Sequence, residues 1–229
     1  MSRYEIGDKK LPSVTEIISD STDKSPALTY WSANCVVEWI KQNCEAYRDS
    51  FGAEYHMCEG DLDNARTNFR EVSQTALDVG SEVHDAIEKY LQSGKEPKFD
   101  NEQAENGFAA FMEWADSHKL KTNHCELQVI GSNWAGMLDW LGFLDDKLTV
   151  VDFKTSRALY PEYRYQIAAY RSCVGAEACG ILRLDKETGL PQYKDYSRTY
   201  ERDLAVFKAM VNLYFLRHPR IAKATGVPF

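Results

Sequence analysis

The chain has 229 residues, 44% of them hydrophobic and 27% charged, a composition ordinary for a globular protein whose core needs neither disulfides nor a structural metal. Acidic residues outnumber basic ones by 35 to 27, giving a formal net charge of −8, which weighs against a broad electrostatic grip on nucleic acid because counterion release rewards basic surfaces. The sequence lacks an apolar run long enough to cross a bilayer, and its first residues lack the apolar core of a signal peptide, so we expect a cytoplasmic protein with no membrane partner.

The first half of the chain is predicted to be mainly helical. Ser13 and Glu16 have the spacing of a capping box, which predicts that a short helix begins there. Ser25 followed by a proline combines a capping residue with the residue favoured at the first helical position, and apolar residues at helical spacing extend that helix to about Tyr47.

Two more helical segments follow before residue 120. The stretch 62–77 has helical periodicity, and we expect Gly80-Ser81 to interrupt it before a new helix restarts. A further helix is predicted over about 102–117, with its aromatic residues on one side.

The pattern changes to strands near residue 124. Short apolar runs bounded by turn residues predict strands over 126–130, 137–144, 148–153, 180–184 and 192–197, with helices over about 161–173 and 200–216. This order of elements predicts an α+β fold with a mixed α/β core and an N-terminal helical extension. We interpret residues 1–229 as one domain, with a mainly helical part (1–120), a sheet core (121–199) and a C-terminal helix (200–229).

The segment with the most chemical information lies on two consecutive predicted strands. Asp152 and Lys154 are two residues apart on a strand and therefore share a face, and Asp139 lies on the strand before. Two converging carboxylates make an oxygen-rich site that suits Mg²⁺ or Mn²⁺, and a nearby ammonium group can neutralise charge on a reacting phosphate. The simpler alternative is an ordinary ion pair between Asp152 and Lys154, with Asp139 in solvent.

Four motifs occur in order around this segment: Gly80-x-x-x-His84, Gly136-x-x-Asp139, Asp152-x-Lys154-Thr155-Ser156 and Gln166-x-x-x-Tyr170. In these motifs the sequence resembles the RecB-type branch of the PD-(D/E)XK nucleases. Upstream, Leu11-Pro12-Ser13-Val14-Thr15 followed by a tryptophan-containing helix is similar to the mitochondrial genome maintenance exonucleases and related phage and bacterial exonucleases. The resemblance covers about residues 11–175, and the full ordered set is more specific than any one motif. Leu138 stands where the classical motif has proline, a residue that this branch often lacks.

The resemblance implies a role for each matching residue. His84, Asp139, Asp152 and the Phe153 carbonyl would ligate Mg²⁺, which Mn²⁺ would be able to replace. Lys154 would be the catalytic lysine, and Glu126 would assist either a second metal or Lys154. The residues expected to contact DNA are Gln166, Tyr170, Thr155, Ser156 and Arg164; Gln166 would alternatively support the lysine, and Tyr170 would alternatively pack in the wall of the site. Some members of the branch carry an iron–sulfur cluster on four cysteines, three of them after the core; here only Cys173 and Cys179 follow it, so we expect no cluster.

Each of these residues also has a simpler interpretation. A lone histidine on a helix beside apolar residues, such as His84, is usually a hydrogen-bonded boundary residue. Gln166 and Tyr170 are one helical turn apart and would also fit a half-buried stripe. Arg164, like its basic neighbours, would fit ordinary solvated surface charge.

The function expected from the resemblance is a metal-dependent exonuclease or end-dependent nuclease that hydrolyses single-stranded DNA. The alternatives left open are a structure-specific endonuclease of the same fold and a module that binds nucleic acid without cutting it. By analogy, we expect a role in DNA repair or recombination in a bacterial or phage-infected cell, with a recombination or annealing protein as a partner.

Overall fold

The structure, a computed structural model, describes residues 3–7, 9–49 and 52–226, and its elements confirm the predicted α+β class. The chain forms two compact units. Residues 23–79 make up the smaller unit, and the residues up to 22 together with those from 80 onward make up the larger one. Within the described ranges, no helix is both long enough and apolar enough to span a membrane.

The smaller unit contains helix α2 (Ser25–Asn43) and a hairpin of β3 (Glu45–Asp49) and β4 (Gly52–His56). The expected start of the helix was off by one residue, because Lys24 is the N-cap and Ser25 already lies inside the helix. The expected end near Tyr47 was wrong, because the chain leaves the helix at Cys44 and enters the hairpin.

Helix α3 (Glu59–Ser93) runs without a break through Gly80-Ser81, so the predicted interruption was wrong. In the smaller unit it packs on α2 through the rings of Trp31 and Phe69, which meet edge to face at 6.5 Å. A glycine inside a helix costs only about 1 kcal/mol relative to alanine, which a helix of this length tolerates. Gly80 also permits a close approach, because a Cβ there would lie 3.1 Å from Thr155 Oγ1.

A mixed sheet with the strand order β5-β6-β7-β8-β9 forms the centre of the larger unit. Its strands are β5 (Leu120–Ile130), β6 (Ala135–Leu144), β7 (Lys147–Lys154), β8 (Ala178–Leu184) and β9 (Pro191–Asp195). Strands β5 to β7 form an antiparallel meander, and β7 pairs in parallel with β8 through the crossover helix α5 (Tyr163–Val174). All five predicted strands are confirmed, with β5 starting earlier than expected.

Helices cover both faces of this sheet. Helices α1 (Val14–Ser21), α5 and α6 (Tyr200–Arg217) share a buried apolar cluster with Val150 of β7. Alternation along the strand places Phe153 on the opposite face, where its ring lies 5.7 Å from that of Phe111 in α4 (Glu102–Asp116). The hairpin of β1 (Arg3–Ile6) and β2 (Lys9–Pro12) and the last helix, α7 (Pro219–Thr225), were not predicted.

The predicted cap of α1 is confirmed. Ser13 Oγ accepts a hydrogen bond from the Glu16 backbone N–H at 2.9 Å. The Glu16 carboxylate in turn accepts a hydrogen bond from the Tyr214 hydroxyl of α6 at 2.5 Å. Ser13 therefore caps the start of α1, and Glu16 in the first turn links α1 to α6.

Candidate metal centre and active site

Side chains from three different elements converge at one side of the sheet. His84 of α3, Glu126 of β5 and Asp139 of β6 offer ligand atoms that all lie within 4.8 Å of one another. His84 Nδ1 is 3.6 Å from Asp139 Oδ1 and 4.0 Å from Glu126 Oε1. One imidazole nitrogen and two carboxylates form a donor set that fits a divalent cation such as Mg²⁺ or Mn²⁺.

Glu126 has an unusual backbone conformation for a residue in a strand. Its φ is 47°, in the left-handed region that side chains other than glycine rarely occupy. The register passes from Cys125↔Trp140 to Leu127↔Leu138, so Glu126 lies opposite Asp139. Residues held in such conformations cluster at functional sites, and here the strained residue is one of the three in the candidate metal group.

Asp139 is oriented by the next strand. The pairing of β6 with β7 ends at Trp140↔Val151, and beyond that point Asp139 Oδ2 accepts a hydrogen bond from the Phe153 backbone N–H at 2.6 Å. One carboxylate oxygen is therefore held by β7, while the other lies next to His84. A ligand oxygen fixed in this way loses little conformational freedom when a cation binds.

Lys154 and Asp152 share a face of β7, as their spacing predicted. Lys154 Nζ lies 2.6 Å from Asp152 Oδ2, and the Asp152 side chain is only 1% exposed. Asp152 is not a member of the three-residue group found among the described residues. Its role as a metal ligand, and that of the Phe153 carbonyl, remain predictions.

The site holds more negative than positive charge. Burial first, and then the neighbouring Asp139 carboxylate, raise the pKa of Glu126 to about 7. Burial also raises the pKa of Asp152, while Lys154 opposes that shift. Burial lowers the pKa of Lys154, but Asp152 and Asp139 outweigh this effect and raise it, so the ammonium group stays charged. Three carboxylates facing one ammonium group leave an excess of negative charge that a divalent cation would offset.

The predicted pair Gln166 and Tyr170 lies in the wall of the site. Both side chains are buried, and Gln166 Nε2 donates a hydrogen bond to the Tyr170 hydroxyl at 3.0 Å. The Tyr170 ring packs against Gly136, where a Cβ would lie 2.5 Å from a ring carbon. The close packing of the Tyr170 ring explains why position 136, three residues before Asp139, is a glycine. A contact of Gln166 or Tyr170 with DNA remains a prediction.

Thr155 and Ser156 begin the segment that follows β7. Both are partly exposed. Ser156 Oγ donates to the Ala158 carbonyl at 2.8 Å, and the Ser156 carbonyl accepts from Arg183 Nε at 2.8 Å. These bonds fix the segment beside Lys154, and a contact of Thr155 or Ser156 with phosphate remains a prediction.

Arg164 is engaged within the larger unit. Its Nε lies 3.6 Å from Asp203 Oδ1, and its Nη2 donates to the Tyr165 hydroxyl at 2.9 Å. The side chain is 32% exposed. A contact with DNA would have to use the exposed part of the guanidinium group and remains a prediction.

The proximity of Tyr163 and Arg183 to the site was not predicted from the sequence. The Tyr163 ring lies 5.2 Å from Lys154 Nζ, and its position three residues before Gln166, on the same side of α5, was a usable signal. Arg183 is the partner of Lys154 in the register of β7 and β8. Nothing local predicts Arg183, because that pairing joins distant parts of the chain.

No family model matches the sequence, and no curated protein matches it. Among solved structures, an alkaline exonuclease, LHK-Exo, from Laribacter hongkongensis is similar at a TM-score of 0.31 and 12% identity, over 69% of this chain and 86% of that chain. LHK-Exo in complex with dAMP is similar at a TM-score of 0.32 and 12% identity, with the same shares of both chains covered. Likeness at this level does not bear on the function of the present chain.

Proposed function

We propose that this protein is a divalent-metal-dependent deoxyribonuclease of the RecB-type PD-(D/E)XK branch that degrades single-stranded DNA from free ends. The observation that carries the proposal is the convergence of His84, Glu126 and Asp139 beside the buried pair of Lys154 and Asp152. The ordered motifs in the sequence support the same assignment.

The donor set fits Mg²⁺, with Mn²⁺ as a substitute. His84, Glu126 and Asp139 would hold the cation, with Asp152 and the Phe153 carbonyl as further predicted ligands. When bound, such a cation polarises a phosphoryl oxygen and lowers the pKa of water.

Besides the cation, the site would have a positive charge from the protein, the ammonium group of Lys154. Its ammonium group is held at 2.6 Å by Asp152, so its position is set before a substrate binds. A fixed positive charge next to the scissile phosphate stabilises the negative charge that builds up as water adds to phosphorus and the P–O bond breaks. The products are a phosphomonoester and a free hydroxyl.

The test is the degradation of end-labelled single-stranded DNA with Mg²⁺ or Mn²⁺. We expect the wild-type protein to cut, and we expect Lys154→Ala and Asp139→Asn to lose at least about 100-fold in rate, as happens when a preorganised electrostatic group is removed. Lys147→Ala is the matched control, because Lys147 is exposed at the opposite end of the same strand. Circular dichroism checks that each variant is folded.

Several outcomes would contradict the proposal. Equal degradation by wild type and Lys154→Ala would assign the activity to a contaminant. Binding without degradation in either metal would identify a non-cleaving module. Rapid cutting of circular single-stranded DNA would identify an endonuclease and exclude strict dependence on ends.

A further inference from the structure

An exposed aromatic ring contacts a second ring, which lies beside the catalytic lysine. Tyr160 is 43% exposed and meets the ring of Tyr163 edge to face, with the ring centroids 5.7 Å apart. The ring of Tyr163 is in turn 5.2 Å from Lys154 Nζ. A planar ligand stacked on Tyr160 would therefore be linked to the Lys154 ammonium group through the rings of Tyr160 and Tyr163.

The segment that carries the two tyrosines is held in place. The Tyr163 backbone N–H donates to the Tyr160 carbonyl at 3.2 Å. Upstream, the Ser156 side chain donates to Ala158, and Arg183 Nε donates to the Ser156 carbonyl. An exposed ring on a fixed turn binds a flat partner at a smaller cost in conformational entropy than a ring on a loose loop.

We infer that Tyr160 and Tyr163 form a stacking site for an unpaired nucleobase of the nucleotides next to the phosphate at Lys154. The inference rests on the proposed function and adds to it the residues that would bind the unpaired bases of the single strand. Every base has a face that stacks on an aromatic ring, whatever its sequence. The bases of a duplex already stack on each other and do not offer that face.

The charge of the protein favours this mode of binding. A formal net charge of −8 weakens the overall attraction to phosphates that dominates many protein–DNA complexes. Stacking does not depend on positive charge. It therefore supplies affinity that the electrostatics of this chain do not.

The experiment compares two labelled oligonucleotides of equal length, oligo-dT and its abasic counterpart, by fluorescence anisotropy in EDTA at low salt, where metal-dependent cleavage does not occur. We expect wild type to prefer oligo-dT. Tyr160→Ala should lose about ten-fold in affinity for oligo-dT, within the range for one stacked base, and nothing for the abasic strand. Tyr160→Phe, which keeps the ring, should retain the preference.

Tyr30→Ala is the matched control, since Tyr30 is a more exposed tyrosine, at 73%, in the smaller unit. Its affinity should equal that of wild type. Equal binding of oligo-dT by wild type and Tyr160→Ala would overturn the stacking site while leaving metal-dependent cleavage intact. A wild-type protein that does not bind oligo-dT in EDTA and does not degrade it when Mg²⁺ or Mn²⁺ is added would overturn the proposed function itself.

Discussion

At the scale of single residues, the pair of Lys154 and Asp152 has a structural role in addition to the chemical one proposed for it. The Asp152 carboxylate is almost completely removed from water, and the ammonium group lies 2.6 Å away. Each charge offsets the cost of burying the other, so the removal of one partner leaves an uncompensated charge inside the protein. A Lys154 variant is therefore expected to change stability as well as rate.

Lys154→Met should lower the free energy of unfolding by about 3–5 kcal/mol, the range observed when one partner of a buried ion pair is lost. The loss should be smaller at pH 5 than at pH 8, because a bare buried carboxyl takes up a proton more readily at low pH. Urea denaturation in EDTA measures both effects.

The double variant Asp152→Asn/Lys154→Met should recover much of that stability, since neither charge remains. Lys147→Met, at the exposed start of the same strand, should change stability by no more than about 0.5 kcal/mol. A double variant as unstable as Lys154→Met would show that packing, and not the unpaired charge, accounts for the loss.

The position of a single residue can be predicted from the sequence when it depends only on residues close by in the chain. Asp152 and Lys154 were correctly placed on one face, because alternation along a strand is a property of consecutive residues. The left-handed backbone of Glu126 and the bond from Arg183 to the Ser156 carbonyl depend on pairing between strands. No local pattern contains that information.

At the scale of elements, β6 and α5 fit together through a glycine. Gly136→Ala would bring a methyl group to 2.5 Å from the Tyr170 ring, and the ring is buried and hydrogen-bonded to Gln166. We expect a loss of about 1–3 kcal/mol in the free energy of unfolding, as for other overpacked cores. Thermal or urea denaturation measures it.

Gly60→Ala is the control for that experiment. Gly60 lies in the first turn of α3, and a Cβ there would meet only Cys58 Sγ, at an ordinary 3.7 Å. Alanine should therefore leave stability unchanged or raise it slightly, because it favours helix more than glycine does. Equal effects of the two substitutions would exclude the tight contact with Tyr170.

The start of α1 gives a second prediction at this scale. Ser13→Ala removes the acceptor for the Glu16 N–H and should cost about 1 kcal/mol, the usual value for a lost N-cap. Ser25→Ala at the start of α2 should cost much less, since Lys24 is the N-cap there and the hydrogen bond from the Ser25 backbone N–H to Asp23 Oδ1 does not need the serine side chain. Denaturation midpoints that fall equally for both variants would contradict the assignment of the two caps.

Elements were predicted well where apolar periodicity is long and strong, as in α4, β6, β7 and α6. The hairpins β1–β2 and β3–β4 were missed, because strands of four or five residues are too short for alternation alone to reveal them. Strand β9 is as short and was predicted from the turn residues 185–189 before it. The break at Gly80 was predicted from propensity alone. Propensity gave the wrong answer because a glycine inside a helix costs only about 1 kcal/mol, and Gly80 leaves room for Thr155 Oγ1, which would lie 3.1 Å from a Cβ there.

At the scale of the whole molecule, the residues of the candidate site come from a limited part of the chain. Except for His84, the residues that form the site and its wall lie between β5 and α5, where the motifs occur in order. That concentration made it possible to predict from the sequence that these side chains lie together. The division into two compact units within α3 was not predictable, because the helical periodicity changes little at that point.

Binding of a divalent cation should stabilise the whole fold, since a ligand that binds only the folded state shifts the unfolding equilibrium. At a metal concentration about 100-fold above Kd, the gain of ~2.7 kcal/mol corresponds to a rise in Tm of roughly 5–10 °C for a protein of this size. Differential scanning fluorimetry with Mn²⁺, Mg²⁺ or EDTA measures the rise. Asp139→Asn should remove most of it.

The size of that rise should depend on pH through Glu126. Its pKa in the folded protein is raised from 4.5 to about 7, so the metal-free fold binds this proton more tightly than the unfolded chain does. Stability without metal should therefore fall as the pH rises from 4.5 to 7. A cation binds the carboxylate and displaces the proton, so the gain from metal should grow over the same interval. Glu126→Gln should make both curves less steep, with the raised pKa of Asp152 accounting for part of what remains, whereas Glu96→Gln, in the exposed segment before α4, should leave both unchanged. A metal-induced rise in Tm that is the same in Glu126→Gln and wild type at every pH would place the cation elsewhere.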